Sequence, residues 1–264
     1  MSVGKYNPSV RVGNWNEDLC LEEEMLKDFL GKRENGELLA FKRKNLFLKL
    51  LQHVELTEND DEKVRFGDVI CLHNVFIKEN LSISMSESQL QESDIFNCSV
   101  SVSPILQPCF RNAFVITSYD RVNKTGDLLC YGQNFVLSAL PNQLPNIENL
   151  KLTSNPVTFM KHSKKFPYQE VSMTSTSTYL NNWQVLHHDP QMRLETEGFP
   201  IKVNEKIVVK HCYTNRALAA VSDYTIRTAF GREHEVAAHT FLDSHKAEKP
   251  DNHWVIVAYR DQSN

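Results

Sequence analysis

From Val64 onward the apolar positions fall in short runs, separated by turn-forming clusters. Val69-Ile70-Cys71-Leu72, Val115-Ile116, Ile207-Val208-Val209 and Trp254-Val255-Ile256-Val257 are rich in β-branched residues, as strands are. Ser99-Val100-Ser101-Val102-Ser103 alternates with the two-residue period of a strand. Asn123-Lys124-Thr125-Gly126-Asp127 predicts a hairpin turn, and Pro104, Pro108, Pro190, Gly198 and Pro200 punctuate the rest. Before Val64 the period is different. Leu21, Met25 and Phe29 fall at i, i+4 and i+8, with Leu26 and Leu30 beside them, which predicts an amphipathic helix over 17–33. Asn16 is placed to cap it, Lys32 and Arg33 suit its C-terminal end, and Gly36 stops the pattern. The stripe is expected to pack on the rest of the chain, with a partner's groove as the alternative. Residues 41–57 read equally as a second helix or a strand, and the charged run 58–63 reads as a boundary.

The strand-rich part repeats. Asn112-Ala113-Phe114-Val115-Ile116, Asn181-Asn182-Trp183-Gln184-Val185 and Asn252-His253-Trp254-Val255-Ile256 share one pattern: Asn, any residue, a large aromatic, any residue, a β-branched apolar. They start roughly 70 residues apart, a spacing that should be tested for internal repeats first. A second mark opens each copy: Phe66-Gly67-Asp68, Tyr131-Gly132-Gln133 and Val203-Asn204-Glu205. Each has an apolar anchor, a residue tolerant of positive φ, an acid or amide, and then a strand. A third mark follows that strand: Leu81-Ser82-Ile83, Leu150-Lys151-Leu152 and Leu218-Ala219-Ala220.

Each unit, about four short strands, is too small to bury its own apolar face. Three units can close a barrel with pseudo-threefold symmetry and so remove exposed sheet edges. The expected fold is therefore mostly β: a β-trefoil over 64–260, with repeats at about 64–128, 129–200 and 201–260, preceded by an arm and helix over 1–63. Phe66, Phe114, Tyr131, Trp183 and Trp254 are the expected structural core; a β-sandwich with chance recurrence of Trp is the alternative. Tyr6, Arg11, Asn14 and Trp15 lie outside the repeats. They are candidates for partner binding, since Trp, Tyr and Arg are enriched at interface hot spots; packing of Trp15 on the fold is the other reading.

Composition narrows the function classes. With 41% hydrophobic and 23% charged residues the 264-residue chain reads as globular. A net charge of −4 gives no strong field for nucleic acid or an anionic membrane. Met1 to Val10 lacks the apolar core of a secretory signal, and no apolar run reaches the ~18 residues of a membrane span. The six cysteines are scattered, without Cys-x-x-Cys, and read as reduced thiols of a cytosolic protein.

Catalytic patterns are weak. His234-Glu235 with His239 has a spacing of five where the zinc-protease motif needs His-Glu-x-x-His on one helix face. His187-His188-Asp189-Pro190 reads as a turn rather than a metal tract. Asp243 with His245 could orient a base, but no nucleophile elbow accompanies them. No glycine-rich phosphate loop is present. The expectation is no enzyme, no metal and no cofactor.

Two resemblances add to this. Val208-Val209-Lys210-His211-Cys212-Tyr213-Thr214 with Leu218 resembles the strand, His, Thr and Leu signature of the MIR module, a β-trefoil motif of protein mannosyltransferases and intracellular calcium-release channels. Unit two departs from it, with Ser138 where the His should be. The second resemblance covers nearly the whole chain. Val10-Arg11-Val12-Gly13-Asn14-Trp15-Asn16-Glu17-Asp18, Arg193-Leu194-Glu195, Glu197-Gly198-Phe199-Pro200, Asn215-Arg216-Ala217-Leu218-Ala219-Ala220 and His239-Thr240-Phe241-Leu242-Asp243-Ser244-His245 resemble the cilia- and flagella-associated protein 161 family. That resemblance implies a structural microtubule inner protein of the ciliary or flagellar axoneme, supporting its stability and motility. The implied partners are tubulin, at the luminal surface of the doublet microtubule, and neighbouring inner proteins, with no nucleic acid and no membrane. The alternative is an MIR-type trefoil that binds a glycan or small ligand.

Overall fold

The computed structural model describes residues 15–85, 97–119, 124–140, 150–158, 162–163 and 165–258. The chain forms two compact units, Met1–Phe47 and Leu48–Asn264. In the first, helix α1 spans Trp15–Glu34. Its end has the chemistry expected of Gly36, which takes φ +69° while the Glu37 N–H donates to the Lys32 carbonyl at 2.8 Å. The ambiguous stretch is helical, as α2 over Leu39–Leu50. Its apolar residues are Leu and Phe with no β-branched residue among them, and Leu46 and Leu50 stand one turn apart.

Among the described residues the second unit has twelve strands. These are β1 (Val69–Asn74), β2 (Glu79–Ser84), β3 (Asn97–Ser103), β4 (Ala113–Thr117), β5 (Asn134–Ala139), β6 (Lys151–Ser154), β7 (Gln169–Thr174), β8 (Trp183–His187), β9 (Lys206–His211), β10 (Leu218–Thr228), β11 (Gly231–Ala238) and β12 (His253–Val257). Six of them close a barrel in the order β1-β4-β5-β8-β9-β12 and back to β1, each pair antiparallel. The other six form the hairpins β2-β3, β6-β7 and β10-β11, which join one another through β3-β7, β7-β11 and β11-β3. A six-stranded barrel with a triangular cap of three hairpins is a β-trefoil, as the repeats predict.

The repeat marks explain the closure. Phe114, Trp183 and Trp254 pair with Ile70, Phe135 and Ile207 of their own units. On their other side they pair with Ala139, His211 and Asn74, each from the next unit in the ring. All three aromatics are completely buried, and the two indoles also donate from Nε1, Trp183 to Leu152 O and Trp254 to Leu218 O, each at 3.0 Å. The Asn two residues before each aromatic is buried too, and its Oδ1 accepts a backbone N–H: from Cys109 for Asn112, Thr178 for Asn181 and Phe241 for Asn252. Gly67, Gly132 and Asn204 all have positive φ, as the second mark requires. Their N–H groups donate to Ile116, Val185 and Ile256, the β-branched position of the first mark. At Gly67 an added Cβ would come within 2.4 Å of Thr125 Cγ2.

The register corrects two sequence alignments. His73 lies opposite Asn80, Ser138 opposite Lys151 and Lys210 opposite Ala217, so the residue equivalent to Leu81 and Leu218 is Leu152, not Leu150. Two positions along a strand share one face, so apolar pattern alone cannot separate them. Likewise Ala139, not Ser138, occupies the position of His211.

Trp183→Ala and Trp254→Ala should each cost about 3–5 kcal/mol, as truncation of a fully buried aromatic does. Chemical denaturation of the two variants checks this, and midpoints equal to the parent's would contradict the buried positions described.

Candidate functional site

Phe66, Phe114, Tyr131, Trp183 and Trp254 are all buried in the second unit. Tyr6, Arg11 and Asn14 lie outside the described residues, and Trp15 opens α1. In α1, Leu21, Met25 and Phe29 are exposed by 52%, 62% and 50%. Their neighbours Leu19 and Leu26 are exposed as well, so the helix presents one broad apolar face.

The histidines of the catalytic patterns are dispersed. His234 Nδ1 pairs with Glu79 Oε2 at 3.0 Å, whereas the His239 ring stacks on Tyr168 with centroids 4.1 Å apart. Asp243 Oδ1 accepts the backbone N–H groups of His245 and Ala247, which closes a turn. Among the described residues no group of three or more His, Cys, Asp and Glu is arranged to hold a metal ion, and no helix is long and apolar enough to cross a membrane. The described cysteines are free, and burial pushes the Cys71 and Cys98 thiols up to about 12, away from the reactive thiolate.

One polar cluster was not visible in the sequence. Arg111, at the turn before β4, is 1% exposed and donates from Nη2 to Glu233 Oε2 on β11 at 2.6 Å. Its Nε donates to Ile83 O at 2.6 Å, Ser101 Oγ donates to Glu233 Oε2 at 2.7 Å, and the guanidinium carbon lies 3.9 Å from the Phe230 ring centroid. Burial lowers the Arg111 pKa, and the charge of Glu233 opposes the shift. The pair ties the first unit of the trefoil to the third hairpin. It does structural work, with both charges out of reach of solvent.

His211 is the residue of the MIR-like signature. It sits against Trp183, with Nε2 2.9 Å from Leu180 O and Nδ1 2.9 Å from Thr214 Oγ1. A carbonyl can only accept, so Nε2 carries the proton and Nδ1 accepts from the Thr214 hydroxyl. The ring is held neutral, and burial lowers its pKa. A second histidine group comprises His187, His188 and His253, with ring centroids 4.5 and 6.0 Å apart in succession. Burial, then the neighbouring histidine, lowers the pKa of both His188 and His253.

Two open cavities flank these groups. One, of about 350 Å³, is bordered by Tyr131, Gln184, His187, Arg193 and Leu194. The other, of about 540 Å³, lies between the second and third repeats and is bordered by Pro156, Val157, Pro167, Tyr168, Gln169, Thr214, Arg216, Ala238 and His239.

The closed barrel, the hairpin cap and the buried signature histidine define a β-trefoil of the MIR type. Solved structures agree at the level of the fold. The chain is similar to the SDF2-like protein of Arabidopsis thaliana, with TM-score 0.57 at 16% identity, covering 76% of this chain and 99% of that one. It is also similar to a chain of the protein O-mannosyltransferase complex of S. cerevisiae, with TM-score 0.52 at 14% identity, covering 79% of this chain and 26% of that one. The family model described as "Cilia- and flagella-associated protein 161-like domain" matches residues 42–259. Proteins named cilia- and flagella-associated protein 161 are 42% identical in Mus musculus, over 97% of this chain and 89% of the relative. In Danio rerio the identity is 37%, over 96% of this chain and 88% of the relative. The chain belongs to the cilia- and flagella-associated protein 161 family.

Two outcomes test these environments. His188, His211, His239 and His253 all have lowered pKa values in the folded chain, with burial the first cause in each. The unfolded chain then binds more protons, so stability should fall as pH drops below the unfolded histidine value of about 6.5, and stop falling from this cause below the folded values. Melting temperatures between neutral and mildly acid pH read this directly; a flat profile would contradict the lowered values. Separately, Glu233→Ala should destabilise by about 3–5 kcal/mol, because it strands the Arg111 charge in the core. Urea titration of that variant provides the measurement.

Proposed function

We propose that this protein is a structural microtubule inner protein of ciliary and flagellar doublet microtubules. In this reading it binds tubulin at the luminal surface, contacts neighbouring inner proteins, and supports axoneme stability and ciliary movement. The observation that carries the reading is membership, along almost the whole chain, of a family named for association with cilia and flagella. The reading assigns no catalytic step, no cofactor, and no nucleic-acid or membrane partner. It is supported by the way the trefoil's polar residues are used: His234 is paired with Glu79, His211 is engaged by Leu180 and Thr214, and Arg111 is committed to Glu233.

The proposed division of labour places the trefoil at 64–260 as a rigid body and residues 1–63 as the arm and helix. Tyr6, Arg11, Asn14 and Trp15 belong to the docking arm, and the exposed Leu21, Met25 and Phe29 of α1 are a second apolar surface that a polymer wall could cover. Within a polymer, many weak contacts are multiplied by simultaneous engagement of neighbours.

Deletion of residues 1–15 is the decisive change. In ciliated cells lacking the endogenous copy, the tagged full chain should appear as density inside the doublet lumen by cryo-electron tomography. The truncated chain should keep its melting temperature and be absent from the axoneme. Loss of stability together with incorporation would assign the arm to the fold. Density outside the doublets would remove the inner-protein reading altogether.

A further inference from the structure

The larger cavity has a composition that none of the preceding roles uses. One wall is aromatic: Tyr168 stacks on His239, and Phe241 meets the two rings edge-on at 5.6 and 4.6 Å between centroids. The lining also includes Pro156, Val157 and Pro167, with Val157 48% exposed. Such a surface favours an apolar side chain of a ligand.

Two of the polar side chains here are already engaged. Gln169 Nε2 donates to Ser154 Oγ at 2.7 Å, and the Thr214 hydroxyl is committed to His211 Nδ1 at 2.9 Å. Arg216 is the lining residue that carries a positive charge. Its backbone carbonyl accepts from the His211 N–H at 2.8 Å, which fixes its place at the groove, and its side chain is exposed. Among the described residues no carboxylate forms an ion pair with it. Among the described residues none that borders the groove is acidic, although the chain as a whole carries a net charge of −4. The histidine on the aromatic wall is held neutral, because burial and then Arg216 lower its pKa.

We propose that this groove binds an acidic peptide segment of a partner protein, with an apolar side chain laid against Tyr168 and His239 and a carboxylate held by the Arg216 guanidinium. Guanidinium and carboxylate match in a two-bond fork, which makes Arg the residue of choice for this recognition. A sugar suits the site less well. A neutral one leaves the Arg216 guanidinium without a counter-charge, and two of the lining polar side chains, Gln169 and Thr214, are bonded within the protein. The proposal is independent of the microtubule reading and is tested on the purified full chain without tubulin.

The probe is a fluorescein-labelled hexapeptide of alternating Glu and Phe, followed by fluorescence anisotropy. Its controls are the same peptide with Gln in place of Glu, and sialyllactose as a carboxylate-bearing sugar. The Glu peptide should bind, and the Gln peptide should bind roughly tenfold or more weakly, the loss of one charge-assisted contact. Arg216→Ala should cause a similar loss without changing the melting temperature, because the side chain is exposed. Val157→Asp, which sets a carboxylate on the groove wall, should abolish binding and likewise leave the melting temperature unchanged. No binding of the Glu peptide, equal binding of the two peptides, or undiminished binding to both variants would overturn the proposal. Displacement of the peptide by sialyllactose at comparable concentration would reassign the groove to a sugar ligand and overturn the peptide assignment.

Discussion

A ring of three backbone hydrogen bonds sets the geometry on which the trefoil depends. Val64 N–H donates to Ile201 O, Ile201 N–H to Leu129 O, and Leu129 N–H to Val64 O, at 3.0, 3.0 and 2.9 Å. All three residues are fully buried and stand at the starts of the three repeats. A buried backbone N–H or carbonyl must find a partner, and here each unit's need is met by another unit, around the pseudo-threefold axis. At the turns the bonding stays inside each unit, where Gly67, Gly132 and Asn204 donate to the strand of their own repeat that carries the core aromatic. No single repeat can satisfy the ring at Val64, Leu129 and Ile201 alone. That is why about 70 residues of sequence pattern recur while only the closed set of three is a stable object.

The threefold marks were legible because each has a local physical cause. Positive φ selects Gly or Asn, a central apolar position selects a large aromatic, and the buried Asn accepts a backbone N–H at each copy. The register of the second unit was not legible. Leu150 and Leu152 point the same way, so only strand pairing identifies the equivalent of Leu218. The stretch around α2 was ambiguous for want of length and period. The Arg111–Glu233 pair was invisible for another reason: its members stand 122 residues apart, and nothing near either one signals a buried charge.

The candidate sites divide in the same way. A histidine-rich sequence invites metal chemistry, yet folding sends His234, His239 and His245 to different neighbours, and His211 is spent on Thr214 and Leu180. The groove at Arg216 was hidden because its lining is drawn from two repeats, although Asn215-Arg216-Ala217 belongs to a motif by which the family resemblance is recognised. The helix α1 could be read from its periodicity, but periodicity identifies an apolar stripe without saying what covers it. Family membership supplies the cellular setting, and the chemistry on the surface supplies the questions that setting leaves open.

The cyclic strand order also has a consequence during synthesis. The barrel's first strand, β1, has β12 as one of its neighbours, and β12 ends at Val257. On the ribosome, Asn74 therefore waits for Trp254 through nearly the whole elongation of the chain. Hairpins can form as they emerge, but the ring cannot shut from one end like a zipper, because its seam joins the earliest barrel strand to the latest. Until that seam closes, one flank of β1 presents unpaired backbone to solvent, an edge of the kind that attracts other chains. For this family, the final strand is a release condition for the whole trefoil, and the interval before it is when a chaperone has most to protect.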